Sequence, residues 1–475
     1  MSLEPLAFVV LVMGLLASDA WLLYFQVGLC LFGATSALAL PALGGATITP
    51  ASLLLPFFVL RTYLRSGWSW MSTATPRAVI WLGVLVLWAL VSAVLLPRAF
   101  AGTTQILTVD RTTSELKVML FDLRPVSGNI TQTAYLVGDF FVFLAARSIL
   151  IDSARMKWFS NAVLWLATLN IAAAVLNLAE FWLRLPSVLA YVRNANYAVF
   201  EAYEEAGLVR IQGTFGETSA FSAFTLPLFA FTMQCWLNGW RPRFSGSVAL
   251  ISFVLLLSST SGTAYTGLAL YSLCLGVALM RRWLLGDLPR PTALILVLAI
   301  LAIGICTVVA FAPAIVQRIS EFFEYTVLNK LTSDSGLERS SWNRQAWQNF
   351  LDTYGVGVGL GSARASSFLL VLLSNLGVIG ALTFIGFASE VLRNRESPDA
   401  YIGNASRHAA LAALIVAGIA DTVFDLGILF YLFAAAASAT ASEPIDSTVG
   451  NQSSEFFTWV PSLTRGPSLR GNRQA

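Results

Sequence analysis

The sequence predicts an all-α polytopic membrane protein with 12–13 transmembrane helices and a large late extracytoplasmic loop carrying short amphipathic helices. Three observations predict it. Of the 475 residues, 57% are hydrophobic and only 12% are charged, against roughly 25% charged in soluble domains. Mean hydropathy is +0.72. Uncharged runs reach bilayer length at residues 78–97, 292–317 and 244–280, where a helix needs about 20 apolar residues to cross. None of these runs alternates as a barrel strand does. Helices are then the remaining way to satisfy the backbone in lipid.

The spans follow in order: 5–17, 20–40, 45–60, 78–97, 133–150, 158–182, 218–237, 245–259, 263–280, 292–316, 366–389, 405–420 and 424–440. The run 244–280 is long enough for two spans broken at Ser258–Gly262. The N-terminal run carries Glu4 and no small-residue cleavage site, so it reads as a retained first span rather than a signal peptide. Residues 1–440 form a single transmembrane domain, and the Ser-, Gly- and Pro-rich tail 441–475 reads as a disordered cytoplasmic extension.

Charge orients the chain. Short basic loops hold Arg61, Arg65 and Arg77; Arg147, Arg155 and Lys157; Arg241 and Arg243; Arg281, Arg282 and Arg290; and Arg393, Arg395 and Arg407. They alternate with long mixed loops at 98–132, 183–217 and 317–365. Lys and Arg in short loops mark the cytoplasmic side, which puts the long loops outside. The side of the N-terminus stays open, inside for twelve spans and outside for thirteen.

Composition excludes several functions. The net charge of +3 is spread without a dense basic stripe, so nothing points to nucleic acid. Cys30, Cys235, Cys274 and Cys306 lie unpaired in apolar runs, and His408 is the one histidine. That pattern speaks against a zinc, haem or iron–sulfur site.

Candidate chemistry concentrates in two outer loops. Loop 317–365 holds one helical pattern at Arg318–Tyr325 and a second from about Leu337 to Leu351, where Trp342, Ala346, Trp347 and Phe350 make an apolar stripe. Thr332–Gly336 reads as a turn and cap between them. Such helices either anchor at the membrane surface or roof a cavity. Arg339, Arg344 and Arg364 stand beside Trp342, Trp347 and Tyr354. Guanidinium forks fit phosphate oxygens and aromatic faces stack on sugars; the plainer alternative is that these arginines snorkel or pair with Glu338 and Asp352. The loop ends in Tyr354-Gly-Val-Gly-Val-Gly-Leu-Gly-Ser362, either an anion-binding run of N–H groups or a tight re-entry into the membrane. Loop 183–217 ends at Arg210-Ile-Gln-Gly213-Thr-Phe-Gly-Glu217, at the mouth of a span. There a helix N-terminus attracts anions, Arg210 adds charge, and Glu217 is either a proton acceptor or a favourable charge at the helix start. Asp421 and Asp425, four residues apart, read as one helical face or a solvated turn; Asp139 and Glu180 read as partners for arginines on neighbouring helices.

Three segments together resemble the O-antigen ligase and polymerase superfamily of bacterial envelope glycan assembly. They are Arg210-x-x-Gly213-Thr214-Phe215 entering a span, Ser258–Gly262 followed by Leu268-Ala269, and Arg344-x10-Gly355 leading through the glycine run to Asn375-Leu-Gly377-Val-Ile-Gly380. The similarity spans roughly residues 130–440. The mid-chain segment lacks the usual Arg, and Ser366-Ser367 stand where ligases carry His-Asn, which favours the polymerases of exopolysaccharide or capsule repeats. The resemblance implies a metal-independent, cofactor-free glycosyltransferase of the bacterial inner membrane, active on its extracytoplasmic side. Its donor is an undecaprenyl-diphosphate-linked oligosaccharide in membrane lipid, and its implied partners are a flippase and chain-length or export proteins. It places Arg210 and Arg344 as diphosphate clamps and Glu217 as base, with Arg318, Arg339, Arg364, Trp342 and Trp347 as substrate contacts. The alternatives are a ligase moving lipid-linked glycan to a lipid or protein acceptor, and a transporter or flippase. The transporter class calls for paired broken helices with charges near the midplane, which the sequence does not display.

Overall fold

A computed structural model describes residues 2–3, 5–40, 46–66, 77–110, 117–195, 204–205, 208–286, 334–393 and 397–440. The expected span 292–316, the pattern containing Arg318, Thr332-Ser333 and the tail 441–475 lie outside the described residues. The described part is that of an all-α multi-pass membrane protein.

Thirteen α-helices run among the described residues. They are α1 (Pro5–Leu16), α2 (Asp19–Gly28), α3 (Pro50–Ser66), α4 (Arg77–Ala99), α5 (Ser127–Ile149), α6 (Ser153–Trp182), α7 (Thr218–Leu237), α8 (Pro242–Ser258), α9 (Gly262–Leu284), α10 (Asp334–Asp352), α11 (Phe368–Arg393), α12 (Ala400–Ala420) and α13 (Ile428–Ser438). Six of them, α4, α6, α7, α9, α11 and α12, are long and apolar enough to cross a membrane. On α4 the side chains of Leu87, Val94 and Leu95 face outward from the protein, a surface that suits lipid and not water. The starts of α6 and α12 are capped by Asp152 and Asp399, whose carboxylates accept the Ala154 N–H (2.8 Å) and the Tyr401 and Ile402 N–H groups (3.1 and 3.2 Å).

Three expectations change. The span 20–40 is not one helix: α2 runs into a 3-10 turn at Leu29–Phe32, and a strand follows at Leu38–Leu40. Thr35 and Ser36 are held there by Val192 O and Asn194 Oδ1, which fixes the chain out of helical geometry. Loop 98–132 contains an antiparallel hairpin of β4 (Gln105–Asp110) and β5 (Lys117–Asp122), the numbering counting β1 (Ser2–Leu3), β2 (Leu38–Leu40) and β3 (Ala46–Ile48) before it. Residues 421–427 are not helical, so Asp421 and Asp425 do not share a helical face.

The core gathers around α13, which packs against α5, α11 and α12. All eleven of its residues are buried. Phe433 meets Phe159 of α6 at 6.1 Å and Phe231 of α7 at 5.7 Å, and Tyr431 stacks on Phe387 of α11 at 6.3 Å. A helix apolar on every side belongs in an interior.

The glycine run from Gly355 to Gly361 forms a ribbon that ties three helices together. Gly355, Gly357, Gly359 and Gly361 all have positive φ, between 76° and 96°, a region open to glycine and costly for other residues. The ribbon lies on a break in α11, where Gly377 has φ 63° and ψ −159°. Val358 N–H donates to Ser374 O (2.8 Å), Gly359 N–H to Asn375 O (2.9 Å), and Val378 N–H returns to Gly355 O (2.9 Å). Contact is backbone to backbone: a Cβ on Gly357 would sit 2.6 Å from Asn375 O, and one on Gly359 would sit 2.7 Å from Ser92 O of α4. Gly361 packs in the same way on Gly128 at the start of α5.

Gly359→Ala and Gly377→Ala should therefore each lose strain-free backbone and close contact together, about 1–3 kcal/mol for the strained dihedral alone. Thermal unfolding of the purified protein should fall by several degrees for both, while Gly418→Ala, where a Cβ meets nothing within 4 Å, should leave it unchanged.

Candidate functional site

A cleft opens where the ribbon ends. Its walls are β4 (Thr108, Val109), the first turns of α5 (Ser127, Gly128, Thr131, Gln132), the ribbon's end (Gly361, Ala363, Arg364), α11 (Val371, Asn375) and the link from α12 to α13 (Val423, Phe424). Two buried asparagines set its geometry. Asn129 Oδ1 accepts Val126 N–H (2.8 Å), and its Nδ2 donates to Leu360 O (2.7 Å) and Ser362 Oγ (2.8 Å). Asn375 accepts Ala363 N–H on Oδ1 (3.1 Å) and donates from Nδ2 to Ala363 O (2.9 Å). Each amide uses both ends, so the ribbon cannot shift without breaking a buried polar pair.

The ribbon is a structural clamp and not an anion nest. Each N–H from Gly355 through Leu360 already donates to a protein acceptor: Phe350 O, Thr353 O, Thr353 Oγ1, Ser374 O, Asn375 O and Ser92 Oγ. The anion-attracting features lie just beyond it. Arg364 is the one charged side chain among the cleft's described lining residues, and the N-terminus of α5, with the partial positive charge of a 23-residue helix, enters the same cleft.

The other predicted residues distribute differently. α10 packs on α11 and β4 as a roof, with Gln345 Nε2 donating to Gln105 O (2.6 Å) and Asn343 Oδ1 accepting Ser366 N–H (2.8 Å). Ala346 and Asn349 point into the fold, while Arg344 is exposed, Arg339 and Trp342 are half-buried, and Trp347 stacks on Phe350 at 5.3 Å with an exposed edge. The Arg344-x10-Gly355 pattern thus delivers its glycine to the ribbon and its arginine to the outer face of α10.

Arg210 and Glu217 flank a second turn, which α6 and the 29–36 segment frame and which does not line the cleft. Gln212 and Gly213 N–H groups donate to Asn177 Oδ1 of α6 (2.8 and 3.2 Å). Thr214 Oγ1 donates to Leu31 O (2.6 Å). The buried guanidinium of Arg193 donates to Gly213 O through Nε (2.9 Å) and Nη2, and to Gln212 Oε1 through Nη1 (3.2 Å). Glu217 is the N-cap residue of α7 and makes no side-chain cap bond. Sequence reading missed Arg193, whose loop context carries no signal. Asn177 was legible in principle: Asn170, Asn177 and Glu180 fall on one face of an otherwise apolar helix.

Among the described residues, the two acidic residues expected to meet arginines do not. Glu180 accepts Leu189 N–H (3.0 Å) and the Ser187 hydroxyl (3.3 Å), because the chain folds back over the end of α6. Asp139, 3% exposed in the middle of α5, has the carboxyl of Asp425 as its acidic neighbour. No protein-family model and no curated protein matches the chain.

Arg193→Leu should release the turn at 210–214 while leaving the ribbon intact. Losing a buried charge-assisted donor set costs about 2–4 kcal/mol. Limited proteolysis should show new cleavage between residues 193 and 217 and none between 353 and 367.

Proposed function

We propose that the protein polymerises undecaprenyl-diphosphate-linked oligosaccharide repeats into exopolysaccharide, capsule or O-antigen at the outer face of the bacterial inner membrane. The observation that carries this reading is the cleft, in which Arg364 and the N-terminus of α5 meet within a bundle of lipid-facing helices. The motif resemblance supplies the substrate class, and the charge of the short loops supplies the side.

The chemistry suits such a cleft. An acceptor sugar hydroxyl attacks the anomeric carbon, the bond from that carbon to the phosphate oxygen breaks, and the diphosphate leaves with the electron pair. Fixed positive charge aimed at the leaving oxygens lowers the barrier. Arg364 is placed for this role ahead of Arg210 and Arg344, because it lines the cleft and they do not. Trp347, Trp342 and Arg339 on the roof helix are the sugar-side contacts of this reading. Glu217 stands on the other turn, and the cleft's described lining offers no carboxylate to take the hydroxyl's proton.

A second reading, movement of lipid-linked glycan between leaflets, draws on one observation. The link between α12 and α13 is unwound beside Asp139, an acidic residue in the middle of a helix, and broken helices with central charges mark transporters.

Arg364→Ala should cut long-chain product by a factor of about 100 or more, in line with loss of a transition-state charge contact, with the protein still present in the membrane. Unchanged long chains on a glycan gel would sink this assignment. The deletion strain separates the classes: single lipid-linked repeats at the outer leaflet indicate a polymerase, finished polymer stranded on lipid a ligase, and repeats held at the inner leaflet a flippase.

A further inference from the structure

The feature that the transfer chemistry leaves unused lies beneath the cleft. α5 has 23 residues, and Asp139 is its thirteenth. It therefore stands about 18 Å along the helix from Ser127 and about 12 Å from Arg147, at 1.5 Å per residue. Arg147 Nε donates to Ser438 O (3.4 Å), so α13 ends level with the last turn of α5. α13 has only eleven residues and begins at Ile428. The non-helical link 421–427 thus brings Asp425 down to the middle of α5, beside Asp139. Irregular backbone at such depth occurs where it is buried in protein or lines a cavity, and Val423 and Phe424 of this link line the cleft.

Asp139 points into the acidic link from a different element, is 3% exposed, and its Oδ2 has no hydrogen-bond partner. Asp425 Oδ1 accepts Gly427 N–H (2.7 Å). Above them on the same face of α5, seven residues toward the cleft, Gln132 lines the cleft with its Oε1 also unpartnered. Asp421, Tyr431 and Cys30 are the titratable groups that act on the pair. The neighbouring helices α3 and α4 carry their charges, Arg61, Arg65, Arg77 and Arg98, toward their ends. Among the described residues no cation pairs with Asp139 or Asp425. Two neighbouring carboxylates, one of them buried, resist ionising together.

We propose that Asp139 and Asp425 form a proton-binding site inside the membrane region, directly beneath the cleft, which holds one exchangeable proton between two carboxyls. Resting on the transfer reading above, this pair is the proton acceptor that the cleft's own lining lacks. The acceptor hydroxyl's O–H bond breaks, its proton passes to the ionised carboxyl of the pair, and its oxygen bonds the anomeric carbon as the diphosphate departs with its electron pair.

The site is tested without any glycan. The full-length protein in lipid nanodiscs is treated with dicyclohexylcarbodiimide, which modifies protonated carboxyls in apolar surroundings, and the label is located by peptide mass spectrometry. Label is expected on Asp139 or Asp425 near neutral pH and should fall about tenfold per pH unit above the pair's midpoint. Asp425→Asn should move that midpoint on Asp139 to lower pH, because the like charge is gone; Asp425→Ala should do the same and serves if Asp425→Asn misfolds. Absence of label on both residues, or label indifferent to pH, would overturn the proposal. Protection by sodium ions at constant pH would overturn it too, by showing a metal-cation site. If labelling behaves as expected while transfer survives Asp139→Asn and Asp425→Asn together, the proton site stands and its role in transfer falls.

Discussion

The backbone-to-backbone seam between the glycine ribbon and the break in α11 is the constraint on which the cleft-bearing half of the described structure depends. A chain re-entering a helical bundle brings polar N–H and C=O groups that must be satisfied internally. Here the ribbon passes close enough to α11 to exchange three main-chain bonds with Ser374, Asn375 and Val378. That approach leaves no room for a Cβ, which is why alternate positions are glycine and why Gly377 interrupts its own helix. The same strip fastens α4 through Ser92 and α5 through Gly128 and Asn129. The cleft is what these fastenings leave open at the end of the strip, with Arg364 as the first charged residue past the last glycine.

The bundle below solves a different problem. α13 is too short to cross a bilayer, yet it is buried on all sides by α5, α11 and α12. Its shortness makes the unwound link 421–427 necessary, and the link carries Asp421 and Asp425 inward. The large aromatic contacts around Phe387, Tyr431 and Phe433 fix α13 laterally, since dispersion contacts rather than the hydrophobic effect hold helices together in lipid. The acidic pair is thereby a consequence of where a fully apolar helix has to begin.

Much of this was legible in the sequence because hydropathy acts residue by residue. The helices α4, α6, α7, α9, α11 and α12 fall close to the uncharged runs, and α10 follows the Trp342–Phe350 stripe. The glycine run was visible as a tight element, but its partner was not: nothing local in Asn375-Leu-Gly377 announces that the main chain of residues 355–359 will lie on it. Long-range pairing of this kind, like that of Arg193 with Gly213 or Asp139 with Asp425, depends on which helices become neighbours. The hairpin 105–122 was hidden by its place between spans, although Ile106, Thr108 and Val109 carry β-favouring side chains. Arginines were easy to nominate and hard to rank, because exposure decides between Arg344 and Arg364 and is a property of the fold.

The functional reading inherits its geometry from the seam. An arginine at the end of a rigid ribbon costs little reorganisation when charge develops in front of it, whereas the same side chain on a mobile loop would lose that advantage. Hydrogen–deuterium exchange resolved to residues 355–362 and 374–378 in detergent or nanodiscs tests this directly. If the ribbon is pinned, the amides of Val358, Gly359 and Val378 exchange as slowly as those in the body of α11. Exchange at the rate of a solvent-exposed turn would contradict the account.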